Sequence, residues 1–262
     1  FRDITTLLKD GAAFTETTAS GPFSTGWYFI AGLDVRAPGR VATVVTFGDS
    51  ITDGYEANGG VESQEGIDAN GRYPDVLTRR LIAASRSLSV LNAGISGNRI
   101  LQDGQIPLFD PSGLSRLQKD ALEQPGVTDV IVLEGINDLG QTPATAQDVI
   151  AGLAALVRAV HAHGLRVLVG TLTPAGGSAT PTYGNAAAND IRQQVNTWIR
   201  TQAVADGVVD FDAAVRDPSE PSRLAPSYDS SDHLHPSLAG YQAMADAVSL
   251  DLLRGASGCR LP

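Results

Sequence analysis

Residues 41–50 read VATVVTFGDS, a short run rich in β-branched side chains that stops at Gly48-Asp49-Ser50. A nearly continuous apolar run of this length is a strand buried on both faces, and the Gly-Asp-Ser that ends it is a tight turn. Further along the chain, apolar runs of strand length recur at residues 88–91, 130–133, 167–172 and 208–211. Segments with helical spacing lie between and after them, at 73–87, 114–124, 145–163, 186–205 and 237–254. The third of these has Val149, Leu153, Leu156, Val157 and Val160 on one stripe, and Gly164 stands where a helix stops. Strand and helix therefore alternate, and parallel neighbours need crossover helices that cover both sheet faces. The fold class expected is α/β: a three-layer α/β/α sandwich around a doubly wound parallel sheet of about five strands, in the flavodoxin-like order.

Residues 1–40 do not fit this alternation. Residues 27–35 (WYFIAGLDV) have the look of a strand, but it precedes the first core strand and is joined to it by the turn-like Ala37-Pro38-Gly39-Arg40. Residues 1–40 are thus expected to be an N-terminal extension, either packed on the core or left from an upstream β-rich domain, with residues 41–262 as the main domain. Long segments at 56–72, 100–113, 174–185 and 212–232 each follow the C-terminal end of a strand. That is the edge where open α/β sheets place their ligands.

The composition excludes several classes of protein. A chain of 262 residues that is 42% hydrophobic and 18% charged buries a full core. Its net charge of -10, with no basic stripe, argues against a nucleic-acid partner, which needs clustered Lys and Arg. No apolar run reaches the roughly 18 residues of a membrane span, so no membrane insertion is expected. Cys259, the one cysteine, has no intrachain partner and no neighbouring His or Lys to activate it, and reads as a buried or incidental thiol. The chain opens on Phe1 without a signal-peptide pattern, as a processed or trimmed chain would.

Four short blocks carry chemistry. Ser50 stands where a strand turns, so its own N–H can face whatever its hydroxyl attacks; the plain alternative is a serine that caps a helix. In Asp232-His233-Leu234-His235-Pro236, Pro236 suits the first turn of a helix, and Asp232 stands one turn before His235. At that spacing a carboxylate can hold imidazole Nδ1–H and leave Nε2 free as a base. His233 is the rival, but its closer spacing to Asp232 makes the same contact harder. Gly135-Ile136-Asn137-Asp138 follows a strand and offers a side-chain amide to a developing oxyanion, with Asp138 as a partner for a backbone turn. Asn92-Ala93-Gly94-Ile95-Ser96-Gly97-Asn98 follows another, with an open backbone N–H at Gly97. Each of the last two blocks alone reads equally as a turn. In a doubly wound parallel sheet, however, all four converge on one rim.

In this order the blocks GDS, NAGISGN, GIND and DHLH resemble the GDSL/SGNH hydrolase superfamily, over about residues 41–254. The resemblance implies a serine ester hydrolase with Ser50 as nucleophile and His235 as base, oriented by Asp232. It further implies an oxyanion hole formed by the Ser50 N–H, the Gly97 N–H and the Asn137 side chain, with Gly94 as the competing glycine. The stretches VVTFGDSITDGY and VIVLEGINDLG are similar to a bacterial, often secreted branch that includes xylanase-E-like esterases, in which an N-terminal β-domain commonly precedes the core. A secreted chain is expected on that ground alone. No metal and no cofactor are expected, since the sequence lacks a metal-ligand spacing and acyl transfer to serine needs neither. The rim loops carry only scattered apolar residues such as Ile106, Leu108, Phe109 and Tyr183, which favours short acyl esters, including those of acetylated carbohydrates. A lipase or phospholipase acting on longer chains and a non-catalytic carbohydrate-binding module are the alternatives. The oligomeric state is left open.

Overall fold

The computed structural model describes residues 41–55, 70–104 and 111–255. The expected extension of residues 1–40 lies outside them, as do Cys259, Ile106, Leu108 and Phe109. Among the described residues the strands are β1 (Ala42–Gly48), β2 (Leu88–Gly94), β3 (Val127–Leu133), β4 (Arg166–Gly170) and β5 (Gly207–Val209). They form a single sheet in the order β2-β1-β3-β4-β5, with every neighbouring pair parallel. This is the flavodoxin-like arrangement, and it covers the sheet on both faces.

The pleat of each strand divides its side chains between two cores. Val44, Ile131 and Leu168 pack with Tyr73, Leu77 and Leu81 of helix α2 (Tyr73–Ala83). Val45, Val130, Val132, Val167 and Val169 pack with Leu153, Leu156 and Val160 of helix α5 (Ala146–Ala162) on the opposite face. Each fully buried Val, Leu or Ile contributes about 1.5–3 kcal/mol, so the paired cores fix which way every strand faces. That long helix starts as its sequence dictates, with a capping box in which Thr145 accepts from the Asp148 N–H at 3.2 Å.

Several boundaries differ from the sequence pattern, each for a local reason. Strand β2 continues through Asn92, Ala93 and Gly94 because Gly94 pairs in register with Gly48 of β1. The segment expected to be helical over 114–124 is helix α3 (Gly113–Leu117), which widens into a π-helical turn, Gln118–Leu122, closed by the Glu123 N–H on the Gln118 carbonyl at 3.0 Å. Helix α2 stops early because Ser85 takes a left-handed conformation, φ 52°. The last helix begins at Leu238 behind an Ser237 cap and ends at Ala247. Pro236 is therefore outside it, held in an antiparallel bridge with Asp229.

The C-terminal ends of β1 and β2 support the short helix α1 (Ser50–Asp53) at very close range. A Cβ on Gly48 would lie 2.2 Å from Thr52 Oγ1, and one on Gly94 would lie 2.1 Å from the Asp53 N. Only glycine fits at either position, and the turn carrying Ser50 therefore sits directly on the strand ends.

Candidate active site

Ser50 begins α1, and Asp49 caps it by accepting the Ile51 N–H at 2.9 Å. The Ser50 hydroxyl lies 2.8 Å from His235 Nε2, although the residues are 185 positions apart. His235 Nδ1 lies 2.5 Å from Asp232 Oδ2. The carboxylate sets the tautomer: Nδ1–H donates to Asp232, which leaves Nε2 to accept the serine proton.

Asp232 and His235 sit in a bent loop rather than at a helix edge. Asp232 Oδ1 accepts the N–H groups of Leu234 and His235 at 2.9 and 2.8 Å and the Ser230 hydroxyl at 3.0 Å. Burial pushes the Asp232 carboxyl up, but the hydrogen bonds and charge of His235, with the Leu234 N–H, outweigh it and hold the group well below the usual carboxylate range. Ser231 and His233 take positive φ, 86° and 62°, so the loop is bent at the residues on either side of Asp232. His233 Nδ1 pairs instead with Asp229, whose Oδ1 accepts the Ser231 and His233 N–H groups at 2.9 and 3.1 Å. The geometry thus separates the two histidines, and only His235 meets Ser50. The Tyr55 ring lies beside His235, with centroids 4.6 Å apart.

The two other blocks lie on the same rim. Residues 95–98 form a β-turn closed by the Asn98 N–H on the Ile95 carbonyl at 3.0 Å, with Gly97 at φ 79°. Ser96 does not share that positive φ, so the turn is type II, which requires glycine at its third position. Ser96 Oγ donates to Asp53 Oδ2 at 2.7 Å and Asn92 Nδ2 to the Thr52 carbonyl at 2.8 Å, which stitches this turn to α1. The Gly94 N–H is occupied by Asn92 Oδ1 at 2.9 Å, whereas the N–H groups of Gly97 and Ser50 donate to nothing among the described residues. Asn137, in helix α4 (Ile136–Gln141), is buried and gives one amide proton to the Asn98 carbonyl at 2.9 Å. Asp138 accepts the Ile100 and Leu101 N–H groups at 2.8 and 3.1 Å and so anchors the chain just past the turn.

Beneath the rim lies a buried charge cluster that the sequence reading did not single out. Arg116, 4% exposed, donates to the carbonyls of Gly48 and Ala93 and to Asn98 Oδ1, each at 2.8 Å, and stacks over Phe47. One guanidinium thereby ties together the ends of β1 and β2 and the turn after β2. It faces Glu134 at 3.5 Å. Burial pushes Asp49 up to about 7 against the Ile51 N–H and the charge of His235. Glu134 is raised by burial first and then by Asp49, with Arg116 opposing. Burial thus pushes both carboxyls toward their neutral forms, and the Arg116 charge opposes it at each. Arg116 was not visible as a site residue because it belongs to a stretch with ordinary helical spacing. Its role comes from the strand ends above it, and no local pattern encodes them.

Ser50, Asp232, His235, Gly97 and Asn137 therefore all lie on one rim, and the arrangement can move a serine proton onto an imidazole beside unoccupied N–H donors. The model of the GDSL-like Lipase/Acylhydrolase family matches residues 46–243, about three quarters of the chain. No curated protein matches the sequence. Among solved structures, the chain is similar to an aryl esterase from M. smegmatis, with 19% identity and a TM-score of 0.61 over 79% of this chain and 96% of that one. It is equally similar to a carbohydrate acetylesterase family member from Sinorhizobium meliloti, with 19% identity and a TM-score of 0.62 over 79% and 95%. A GDSL-like lipase from Bacteroides thetaiotaomicron gives 19% identity and a TM-score of 0.56 over 80% and 87%. At such identities the structures share the fold, while the family match covers all four blocks: the chain belongs to the GDSL-like lipase/acylhydrolase family and is a hydrolase of the GDSL/SGNH type.

Proposed function

We propose that this hydrolase cleaves short-chain acyl esters through an acyl-enzyme on Ser50. The observation that carries the reading is the continuous hydrogen-bonded line from the Ser50 hydroxyl through His235 to Asp232. Ser50 Oγ attacks the ester carbonyl carbon as its proton passes to Nε2. The carbonyl oxygen becomes an oxyanion and is met by the N–H groups of Ser50 and Gly97 and by the remaining amide proton of Asn137. Collapse breaks the bond to the alkoxy oxygen, which leaves as the alcohol with the proton from Nε2. Water then repeats the sequence on the acyl-serine and releases the carboxylic acid. Asp232 stays ionised throughout and stabilises the imidazolium.

The alcohol we favour is a sugar or an aryl group. Tyr55, 42% exposed and against His235, offers a flat face at the point where the leaving group departs. Two structural neighbours, a carbohydrate acetylesterase family member and an aryl esterase, support the same reading. Among the described residues, the other large exposed apolar side chains, Val41, Ile82, Leu114, Val204 and Leu238, are scattered over separate segments. A lipase needs a continuous apolar face at the site.

Replacing Ser50 by Ala is expected to abolish turnover of p-nitrophenyl acetate with the fold retained by circular dichroism; parental rates in that variant would remove the nucleophile. Rates across p-nitrophenyl esters from acetyl to palmitoyl are expected to peak at the short end, and a maximum at long chains would favour the lipase reading. The pH profile gives a third check. Because Asp232 is held below its ordinary value of 3.8, it stays ionised through the working range, and kcat/KM should fall on the acid side with unit slope, the loss of a single base. A slope of two would bring a second group, such as Asp49, into the reaction.

A further inference from the structure

An asparagine serves as an oxyanion donor only if its amide is the right way round. The two ends of the amide are nearly the same shape, and a half-turn about the last side-chain bond exchanges a donor for an acceptor. The surroundings of Asn137 specify one orientation. Its Oδ1 accepts the Tyr183 hydroxyl proton at 2.8 Å and a Gln141 Nε2 proton at 3.1 Å. Gln141 Nε2 also donates to the Tyr183 hydroxyl at 3.0 Å, so the three groups close a ring in which each donor has an acceptor. On the other side, Nδ2 gives one proton to the Asn98 carbonyl, next to Gly97. One amide proton is left, and no described group accepts it.

Tyr183 reaches this position from a separate part of the fold, the short helix α6 (Pro181–Gly184) in the long connection after β4. Its ring fits into a notch on α4 where Gly140 has no side chain, since a Cβ there would lie 2.2 Å from Tyr183 Cε1. The steric fit is specific to this ring, and the hydroxyl is delivered to the amide oxygen by a scaffold shaped around it. A hydroxyl and an amide donating to the same oxygen also polarise the amide, which strengthens its remaining N–H as a donor.

We propose that Tyr183 and Gln141 are positioning residues for the oxyanion donor: they hold and polarise the Asn137 amide so that its free N–H faces the reacting carbonyl. This rests on the reading of Ser50 and Asn137 given above. The test is a double-mutant cycle on p-nitrophenyl acetate, with melting temperatures measured in parallel. Tyr183→Phe keeps the ring in its notch and removes only the hydroxyl. It is expected to lower kcat about tenfold, the scale of one lost hydrogen bond, while KM stays within about twofold. Asn137→Ala alone is expected to lower kcat by roughly 10²–10³. In that background Tyr183→Phe has nothing left to orient and should change kcat by less than about twofold. Gln141→Met should show the same pattern, and it carries the cycle if Tyr183→Phe does not fold.

Parental kcat in both the tyrosine and glutamine variants would overturn the positioning role. So would an equal loss with and without Asn137, which is the mark of a general structural effect. If Asn137→Ala itself keeps parental kcat, the donor assignment falls and the positioning role falls with it. If Asn137→Ala is impaired while the other two variants are not, only the positioning role falls.

Discussion

Two backbone positions tolerate no side chain, and the site is built on them. Gly48 and Gly94 end adjacent parallel strands at the same level, and helix α1 sits on both at distances that exclude a Cβ. This contact sets the height of Ser50 above the sheet. The Asn92 and Ser96 side chains then reach α1 from the second strand, so the turn that presents Gly97 is fixed to the same helix. The serine and one of its candidate donors are positioned by a single packing constraint, and everything else arrives from further along the chain to meet them.

The electrostatic design has two levels. On the rim, Asp232 is held ionised by the imidazole and by two backbone N–H groups, which keeps His235 in the tautomer that can accept a proton. Below the rim, Asp49 and Glu134 are pushed toward their neutral forms by burial, with Arg116 between the strand ends. Glu134 Oε1 has no hydrogen-bond partner among the described residues, and a neutral carboxyl tolerates that better than a carboxylate. The lower level acts on geometry: Arg116 binds the strand-end carbonyls of Gly48 and Ala93 and the Asn98 side-chain oxygen at once, and its charge is met by Asp120 at 3.3 Å and Glu134 at 3.5 Å.

The sheet was legible because parallel strands buried on both faces leave unbroken apolar runs, and the run at residues 41–47 is a clear case. The positions of Ser50, His235, Gly97 and Asn137 were legible because their blocks all follow strands or precede helices at one edge. Less visible was anything set by long-range contact. Pro236 looked like the start of a helix, but its pairing with Asp229 holds it in a loop, and the helix waits for the Ser237 cap. Gly94 looked like a loop glycine until its register with Gly48 placed it in a strand. Tyr183 looked like one of several scattered apolar residues, because its hydroxyl partner is 46 positions away and the notch that receives it is a glycine on another helix.

The central claim is that the Ser50 hydroxyl is made nucleophilic by the line through His235 to Asp232. Reaction with a fluorophosphonate, followed by peptide mass spectrometry, tests it most directly. The account predicts one adduct, on Ser50, formed in step with the loss of esterase activity and greatly slowed when His235 is replaced by Ala. Complete inactivation with the adduct on any other residue, or full labelling of Ser50 with esterase activity intact, would contradict it.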